Sequence, residues 1–312
     1  MIKALRLVLA PDTAGDPMTG QKWTHRTTEK ISEQLQQVAI DVSPRTIARL
    51  LKKIGYALRV NHKKRSTVKS AHRNQQFDHI KAMRQTFQAA RLPAISVDTK
   101  KKEMLGKFRS VGAAWSKKPE IVNDHDFKRD STGSAIPRGT YDTIANRGHV
   151  CVGSSHDTSA FAVDALACWW QNEGRRRYPH AHRLLVLADS GGSNNCRHWG
   201  WKYYLQTKLC DRFGLTITVC HYPPGSSKWN PIEHRLFSQI SKNWAGRPLD
   251  SYQTVLNHLR TTKTKTGLAV TACLLDGDYP LKLKVSKEAI AGLNIHRPPG
   301  VMPQWNYVIS PN

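Results

Sequence analysis

The sequence predicts a mixed α/β sheet flanked by helices, preceded by a small all-α domain. Before residue 60, apolar residues recur at helical spacing, whereas after residue 94 strand-length apolar runs alternate with helical patterns. The 312 residues suffice for two domains, and the 39% of hydrophobic residues suffices for a packed core. We therefore expect two folding units of different class.

Two helical patterns separated by a short break occupy the N-terminal part. The first carries Ile31, Leu35 and Val38 at helical spacing, and the second has apolar positions at Ile47, Leu50, Leu51 and Ile54. Before the second pattern, Ser43 and Pro44 are suited to be its N-cap and first helical residue. Two short helices joined by a tight turn are typical of a helix-turn-helix, and a plain helical hairpin is the alternative.

Basic residues are concentrated in this part of the chain and in excess throughout. The first 75 residues contain 15 Lys and Arg against 5 Asp and Glu, and the whole chain carries 48 against 23, a net charge of +25. Such a charge predicts salt-dependent binding to nucleic acid, although a merely basic soluble protein would also fit. We expect DNA contacts from Arg45, Arg49, Lys52 and Lys53 on the second helix, Lys63, Lys64 and Arg65 after it, and Lys228 in a later loop.

The elements after the N-terminal part follow in order along the chain. Helices are predicted over "NQQFDHIKAMRQTFQAARL", "FAVDALACWWQNEG", "WKYYLQTKLCDRFG" and "SYQTVLNHLRTTKT". Strands are predicted over "AISVDTKKKEML", "KFRSVGAAW", "HVCVGSSHD", "HRLLVLADSGGSN" and "LTITVCHYPP". The expected domains are a basic DNA-binding domain (1–70), a linker helix (71–93), an α/β domain (94–250) and a C-terminal helical extension with a tail (251–312).

Three acidic residues occupy comparable positions in this pattern. Asp98 and Asp189 each end a predicted strand, and Glu233 lies in the first turn of a later helix. Because functional groups gather at the carboxyl ends of strands in open α/β sheets, the three side chains are expected to converge. Their carboxylate oxygens would suit Mg²⁺ or Mn²⁺.

Each of these acids also has an ordinary structural explanation. Asp98 could pair with a neighbouring lysine, and Asp189 could open the Ser-Gly-Gly turn that follows it. Glu233 lies three residues after Asn230, with Pro231 between them, which is the spacing of a capping box. The three positions together, in a chain of charge +25, favour a metal site.

Other polar residues give weaker signals. Asn194 could cap a helix or orient a metal-bound water, and His221 could be a structural histidine or a member of the site. The six cysteines are scattered without a Cys-x-x-Cys pair, so we expect neither a zinc site nor disulfides, and a reducing cytosol fits best. The opening apolar run is too short to span a bilayer, so we expect a cytoplasmic protein with no membrane partner.

The ordered motifs also resemble a known family. The chain is similar to the Rhodopirellula-type DDE transposases of bacterial insertion sequences in the segments "ISVDTKKKEMLGKF", "YDTIANRGHVCVG", "LADSGGSN", "WKYYLQ", "HYPPGSSKWNPIEHRLFSQISKNW" and "WNYVISP". The resemblance implies a ribonuclease H-like core with Asp98, Asp189 and Glu233 as the DDE triad. It further implies two Mg²⁺ ions, with Mn²⁺ as a possible substitute, and an N-terminal helix-turn-helix.

The same resemblance implies a function and its alternatives. The expected activity is cleavage and transfer of DNA strands, with transposon ends and target DNA as partners, a homo-oligomer as the active complex, and a place at the bacterial nucleoid. Family members usually carry a further stretch before the "GDP" segment, so the alternative is a truncated or domesticated remnant that binds DNA without catalysis. A ribonuclease H-type nuclease is a third possibility.

Overall fold

The computed structural model describes residues 1–10, 14–15, 22–24, 26–58, 72–299 and 302–312. It divides the chain into two units, Met1–Arg65 and Ser66–Asn312. The predicted DNA contacts Lys63, Lys64 and Arg65 lie outside the described residues. No helix in the described ranges is long and apolar enough to cross a membrane.

The described residues of the N-terminal unit form three short helices and a two-stranded antiparallel ribbon. Their bounds are α1 (Ile2–Leu9), β1 (Ala14–Gly15), β2 (Lys22–Trp23), α2 (Thr28–Gln37) and α3 (Pro44–Lys53). The core of this unit consists of Leu5, Leu9, Ile31, Leu35 and Ile47. The opening apolar run is thus a helix that packs on α2 and α3, a role that its length alone did not indicate.

The two predicted N-terminal helices are present, with caps that their sequences supply. The hydroxyl of Ser43 accepts a hydrogen bond from the Thr46 amide at 3.3 Å, and Pro44 is the first residue of α3. Ile47 is buried, whereas the basic side chains of the same helix are exposed: Arg45, Arg49, Lys52 and Lys53. Helix α3 therefore presents one apolar face to the core and a basic face to solvent.

The second unit is built on a nine-stranded mixed sheet. Its strands are β3 (Ala94–Thr99), β4 (Glu103–Leu105), β5 (Gly133–Asp142), β6 (Arg147–Gly153), β7 (Arg183–Ala188), β8 (Thr216–His221), β9 (Ala269–Leu275), β10 (Ile295–His296) and β11 (Asn306–Ile309). Their order is β10-β11-β8-β7-β3-β5-β6-β9, and β4 pairs with β5. Strands β3, β7 and β8 are parallel, as are β6 and β9, whereas β5 is antiparallel to both of its neighbours.

Helices cover both faces of this sheet, so the predicted mixed α/β class is confirmed. They are α4 (Arg73–Ala89), α5 (Ser159–Trp169), α6 (Arg175–Arg177), α7 (Trp199–Leu205), α8 (Asp211–Phe213), α9 (Ser238–Asn243), α10 (Tyr252–Arg260) and α11 (Lys287–Ala291). Five-residue π-helical turns join α5 to α6 and α7 to α8, and a third precedes α9. One core lies between the sheet and α5 and α7, and another lies between the sheet and the α9 and α10 helices.

The structure differs from the sequence prediction in two segments. The expected strand "KFRSVGAAW" is not a strand, because only Glu103–Leu105 pairs with β5 and the chain then turns at Gly112, where φ is +105°. Residues 251–312 are not a separate helical extension, because β9 pairs with β6 and β11 pairs with β8. The weak patterning of this segment follows from the half-exposed positions along β9, which is an edge strand.

Candidate active site

Strands β3 and β7 bring two of the predicted acids to the same edge of the sheet. The two strands are parallel neighbours with Val97 opposite Ala188. Asp98 follows Val97 and Asp189 follows Ala188, so continuing the strand register by one position places the two acids side by side. Both side chains are partly buried. The pairing of central parallel strands therefore produces the convergence that the sequence pattern predicts.

The helix of Glu233 is anchored to the same face of β3. Ser96 lies two residues before Asp98, so both side chains leave the strand on one side. The hydroxyl of Ser96 hydrogen-bonds to the side-chain oxygen of Asn230 and accepts from the amide of Ile232 at 3.2 Å. Asn230 is fully buried in this contact. The first turn of the helix is therefore held two residues from Asp98 along β3.

The capping-box explanation of Glu233 does not describe this helix start. The side chain of Asn230 is directed at β3 instead, where its nitrogen also lies 3.5 Å from the carbonyl of Val97. The amide of Glu233 donates to the backbone carbonyl of Asn230 at 3.1 Å. Glu233 then opens a π-helical turn, Glu233–Phe237, a feature frequent at functional sites.

Two glycines in the sheet allow this helix to approach closely. A Cβ at Gly139, the β5 partner of Asp98, would lie 2.6 Å from the ring of Phe237 and 2.9 Å from Ile232. A Cβ at Gly148 would lie 2.5 Å from Leu236. Any side chain at these positions would lift the helix away from the strand that carries Asp98.

The three carboxyl groups share one electrostatic environment. Burial, with the nearby charges of Asp189 and then Glu233, raises the pKa of Asp98 to about 7, against the lowering effect of Arg138. Burial also raises the pKa of Asp189, and hydrogen bonding to Asn194 opposes this rise. Burial raises the pKa of Glu233, while His234 and Lys100 lower it. A divalent cation would relieve this repulsion, and carboxylate oxygens are the ligands that Mg²⁺ and Mn²⁺ prefer.

Arg138 is a supporting residue that the sequence analysis missed. Its side chain is 1% exposed, and its Nη1 lies 2.7 Å from Asn194 Oδ1, 3.0 Å from Ser193 Oγ and 3.0 Å from Thr99 Oγ1. It thereby connects the end of β3 with the loop after β7. Its sequence context, Pro-Arg-Gly in a segment of weak strand propensity, gave no signal of this role.

Asn194 holds the carboxylate of Asp189 in place. Its Nδ2 donates to Asp189 Oδ1 at 2.5 Å and lies 3.2 Å from the Asp189 carbonyl oxygen. With Oδ1 accepting from Arg138, the whole amide group is engaged. Asn194 thus contacts the carboxylate of Asp189 directly, an arrangement that neither of its two sequence interpretations, a helix cap or the orientation of a metal-bound water, had predicted.

His221 hydrogen-bonds to the backbone of Asp189 as a neutral residue. Its Nδ1 lies 2.8 Å from the Asp189 carbonyl, which can only accept, so Nδ1 carries the proton. Its Nε2 therefore accepts from the hydroxyl of Tyr307, which in turn accepts from the indole N–H of Trp201. Burial lowers the pKa of His221 to about 4, consistent with this neutral form. His221 therefore orients the backbone of Asp189.

The family of the chain follows from its match to known sequences. The model of the Rhodopirellula transposase DDE domain matches residues 4–311. The chain belongs to this transposase family. No curated protein matches it.

Several solved transposase structures are similar to this DDE domain. The Mos1 transposase paired-end complex with left transposon end has 13% sequence identity and a TM-score of 0.44, and the match covers 82% of this chain and 68% of that one. A pre-cleavage Mos1 transpososome has 12% identity and a TM-score of 0.43, and the Mos1 strand transfer complex has 14% and 0.42. Both matches cover the same shares of the two chains.

Other polar residues near the motifs of the DDE domain have distinct surroundings. Lys228 is exposed on the turn Ser227–Trp229, with its Nζ 5.0 Å from the centre of the Trp229 ring. Asp157 is an exposed fourth acid, whose Oδ1 accepts from Thr99 at 3.2 Å and whose charge acts on Asp189. Asp142 is fully buried, accepts a hydrogen bond from the Tyr178 hydroxyl and another from the Ile144 amide, and so stabilises the β5–β6 turn.

Proposed function

We propose that the protein is a metal-dependent DNA transposase with Asp98, Asp189 and Glu233 as its catalytic triad. The observation that carries the proposal is the convergence of β3, β7 and the Ser96-anchored helix on one face of the sheet, in a chain of the DDE family. The strand order β6-β5-β3-β7-β8 supports a ribonuclease H-like core, with the first strand central.

The triad would bind two Mg²⁺ ions, for which Mn²⁺ could substitute. When bound, such ions stabilise the attacking and leaving oxygens of a phosphodiester displacement. Contacts within the protein fix the position of each of the three carboxylates that would bind the ions. Asp98 is fixed by the sheet, Asp189 by Asn194 and His221, and Glu233 by the docking of its helix through Asn230.

The chemistry proposed for this site is two in-line displacements. Water first hydrolyses the phosphodiester at the element end, and the freed 3′-hydroxyl then attacks target DNA. No covalent bond between protein and DNA is needed, since the attacking groups are the water and the DNA itself. Joining of two ends further implies that the active complex is a homo-oligomer.

The N-terminal unit is proposed to bind the ends of the insertion sequence as a helix-turn-helix. Helix α3 follows α2 after a short turn, and its exposed face carries Arg45, Arg49, Lys52 and Lys53. A helix with one buried and one basic face is suited to lie in the major groove of DNA. Lys228 is exposed on the turn before the helix that carries Glu233, and it is proposed to contact a backbone phosphate of the DNA.

The test is a strand-cleavage assay with purified protein, Mg²⁺ or Mn²⁺, and labelled DNA carrying the terminal repeats. We expect nicked ends and joined products, and their loss by at least about 100-fold in Asp98→Asn and Glu233→Gln, because removing a metal ligand removes the electrostatic stabilisation of the reaction. Asp126→Asn, in an exposed loop, serves as the matched control. Undiminished cleavage by Asp98→Asn would disprove the triad.

The same assay separates the two other candidates. DNA binding in a gel shift without metal-dependent cleavage would identify a catalytically silent remnant. Cleavage of an RNA–DNA hybrid without strand joining would identify a ribonuclease H-type nuclease. Either result would contradict the proposed transposase.

A further inference from the structure

Four potential metal ligands converge outside the carboxylate triad. They are His149, Cys151, Cys168 and Cys273, and one ligand atom from each lies within 4.8 Å of all the others. The sulfur of Cys273 lies 3.4 Å from that of Cys151 and 3.3 Å from that of Cys168. The Nε2 of His149 lies 3.6 Å from the Cys168 sulfur and 3.7 Å from the Cys273 sulfur.

The strand register accounts for this convergence. Strands β6 and β9 are parallel neighbours, with His149 opposite Thr271 and Cys151 opposite Cys273. Residues two apart on a strand face the same side, so the side chains of His149, Cys151 and Cys273 project from one face of the sheet. Helix α5 covers that face and contributes Cys168 in its last turn. The separations along the chain are too irregular to form a metal-binding motif, which is why the sequence analysis expected no zinc site.

The spacing is that of a tetrahedral ligand set. Bond lengths of about 2.3 Å for Zn–S and about 2.0 Å for Zn–N place tetrahedral sulfurs about 3.8 Å apart, and sulfur and nitrogen about 3.5 Å apart. The observed separations of 3.3–3.7 Å differ from these values by at most about 0.5 Å. Three thiols and one imidazole form a closed set of four ligands, typical of structural rather than catalytic zinc.

Neighbouring groups orient the ligands as they do in zinc proteins. The Nδ1 of His149 lies 2.8 Å from the hydroxyl of Thr271, which leaves Nε2 directed at the sulfurs. The Nδ2 of Asn172 lies 3.2 Å from the sulfur of Cys168 and can donate to a thiolate there. His149 and Cys151 are buried, whereas Cys168 and Cys273 are half-buried, so an ion can enter from the surface.

We propose that His149, Cys151, Cys168 and Cys273 form a structural zinc site that ties β6, β9 and α5 together. Binding replaces the thiol protons, which are released to solvent, and involves no oxidation. The site goes beyond the proposed transposase function, because none of its ligands belongs to the triad. It stabilises β6 beside Arg138, since Cys151 is the cross-strand partner of that arginine in β5.

The first test is the metal content of the untagged full-length chain, purified without chelator and measured by mass spectrometry of the elements. We expect about one zinc per chain, a thiolate-to-metal charge-transfer band after exchange for Co²⁺, and a lower melting temperature after chelation. A chain that holds no zinc and takes up none when Zn²⁺ is added would overturn the proposal. So would a disulfide among the three cysteines in the freshly purified protein.

Variants then locate the ion. Cys168→Ala and Cys273→Ala should lose the zinc, whereas Cys210→Ser, a buried thiol outside the cluster, should retain it. Thr271 lies at an exposed strand position, and Thr271→Val leaves all four ligands in place. This variant should weaken zinc affinity about 10–100-fold, because the imidazole of His149 loses its hydrogen bond to the Thr271 hydroxyl. Full zinc content in Cys168→Ala and Cys273→Ala would contradict the site. Asp98→Asn should leave zinc content unchanged, so this test is independent of strand cleavage.

Discussion

At the scale of single residues, burial brings the titration of Asp98 close to neutral pH. Its ordinary pKa of 3.8 rises to about 7, chiefly because the carboxylate is buried and secondly because Asp189 is negatively charged. Below about pH 7 the carboxyl group of Asp98 is therefore mostly protonated in the metal-free protein, and a divalent cation that binds it must displace this proton. In the metal-free chain this group stabilises the fold at low pH, and that stabilisation is lost as pH rises from 3.8 through about 7.

Metal binding should consequently strengthen with pH. We expect the rise in melting temperature on adding Mg²⁺ or Mn²⁺ to be small at about pH 6 and to increase towards about pH 8, since deprotonation of Asp98 precedes ligation. Thermal denaturation over this range measures the effect. Asp98→Asn is the control and should flatten the dependence. A metal-induced shift that is independent of pH would contradict this account of Asp98.

The three acids could be predicted from the sequence, whereas Arg138 could not. Asp98, Asp189 and Glu233 are at element ends, where the type of residue and its position already indicate chemistry. Arg138 acts through a buried side chain that donates hydrogen bonds to Ser193 and Asn194, which lie more than 50 residues away along the chain. Such a partnership depends on strand pairing, so no local pattern could predict it.

At the scale of elements, the position of Glu233 depends on how closely its helix packs on β5. The contact is built from Gly139 and Gly148 on the sheet and from Ile232, Leu236 and Phe237 on the helix. These apolar side chains are buried, and the π-helical turn lies directly over the glycines. The sheet and helix therefore form one rigid support for the third carboxylate.

Gly139→Ala should disturb this support selectively. The added methyl group would lie 2.6 Å from Phe237 and displace the helix, so we expect strand cleavage to fall about tenfold or more, since small misplacements of reacting groups are costly. DNA binding should persist. The comparison is cleavage rate against gel-shift affinity for each variant.

Gly200→Ala provides the matched control for this substitution. Gly200 lies in α7, and a Cβ there would meet atoms only at 3.8 Å and beyond, which is ordinary contact. This variant should retain cleavage. Equal activity of Gly139→Ala and the unchanged protein would show that the helix does not set the position of Glu233.

At the scale of the whole molecule, a chain of net charge +25 places three acids, Asp98, Asp189 and Glu233, at its candidate active site. The triad would attract metal ions at short range, whereas the basic surface would attract DNA at longer range. The basic face of α3 is one part of that surface, and its four exposed cations fall at helical spacing. DNA affinity should therefore be steeply dependent on salt.

Arg49→Ala should reduce the slope of log affinity against log salt concentration by about 1, because one phosphate contact and its released counterion are lost. Fluorescence anisotropy with terminal-repeat DNA at several salt concentrations measures this slope. Lys3→Ala, an exposed cation on α1, is the control and should leave the slope unchanged. An unaltered slope in Arg49→Ala would exclude this face of α3 from DNA contact.

Local patterns in the sequence were sufficient to predict the mixed α/β class, the two N-terminal helices with the cap at Ser43, and Asp98, Asp189 and Glu233 as candidate site residues. These features follow from local periodicity and from residue types at element ends, which a single chain displays directly. The non-local features are visible only in the tertiary structure. They are the positions of β5 and β11 in the sheet, the packing of the Glu233 helix on Gly139, the hydrogen bond of the buried Arg138 to Asn194, and the convergence of His149 with three cysteines. Each depends on which strands become neighbours, and strand pairing joins residues whose distance along the chain gives no signal.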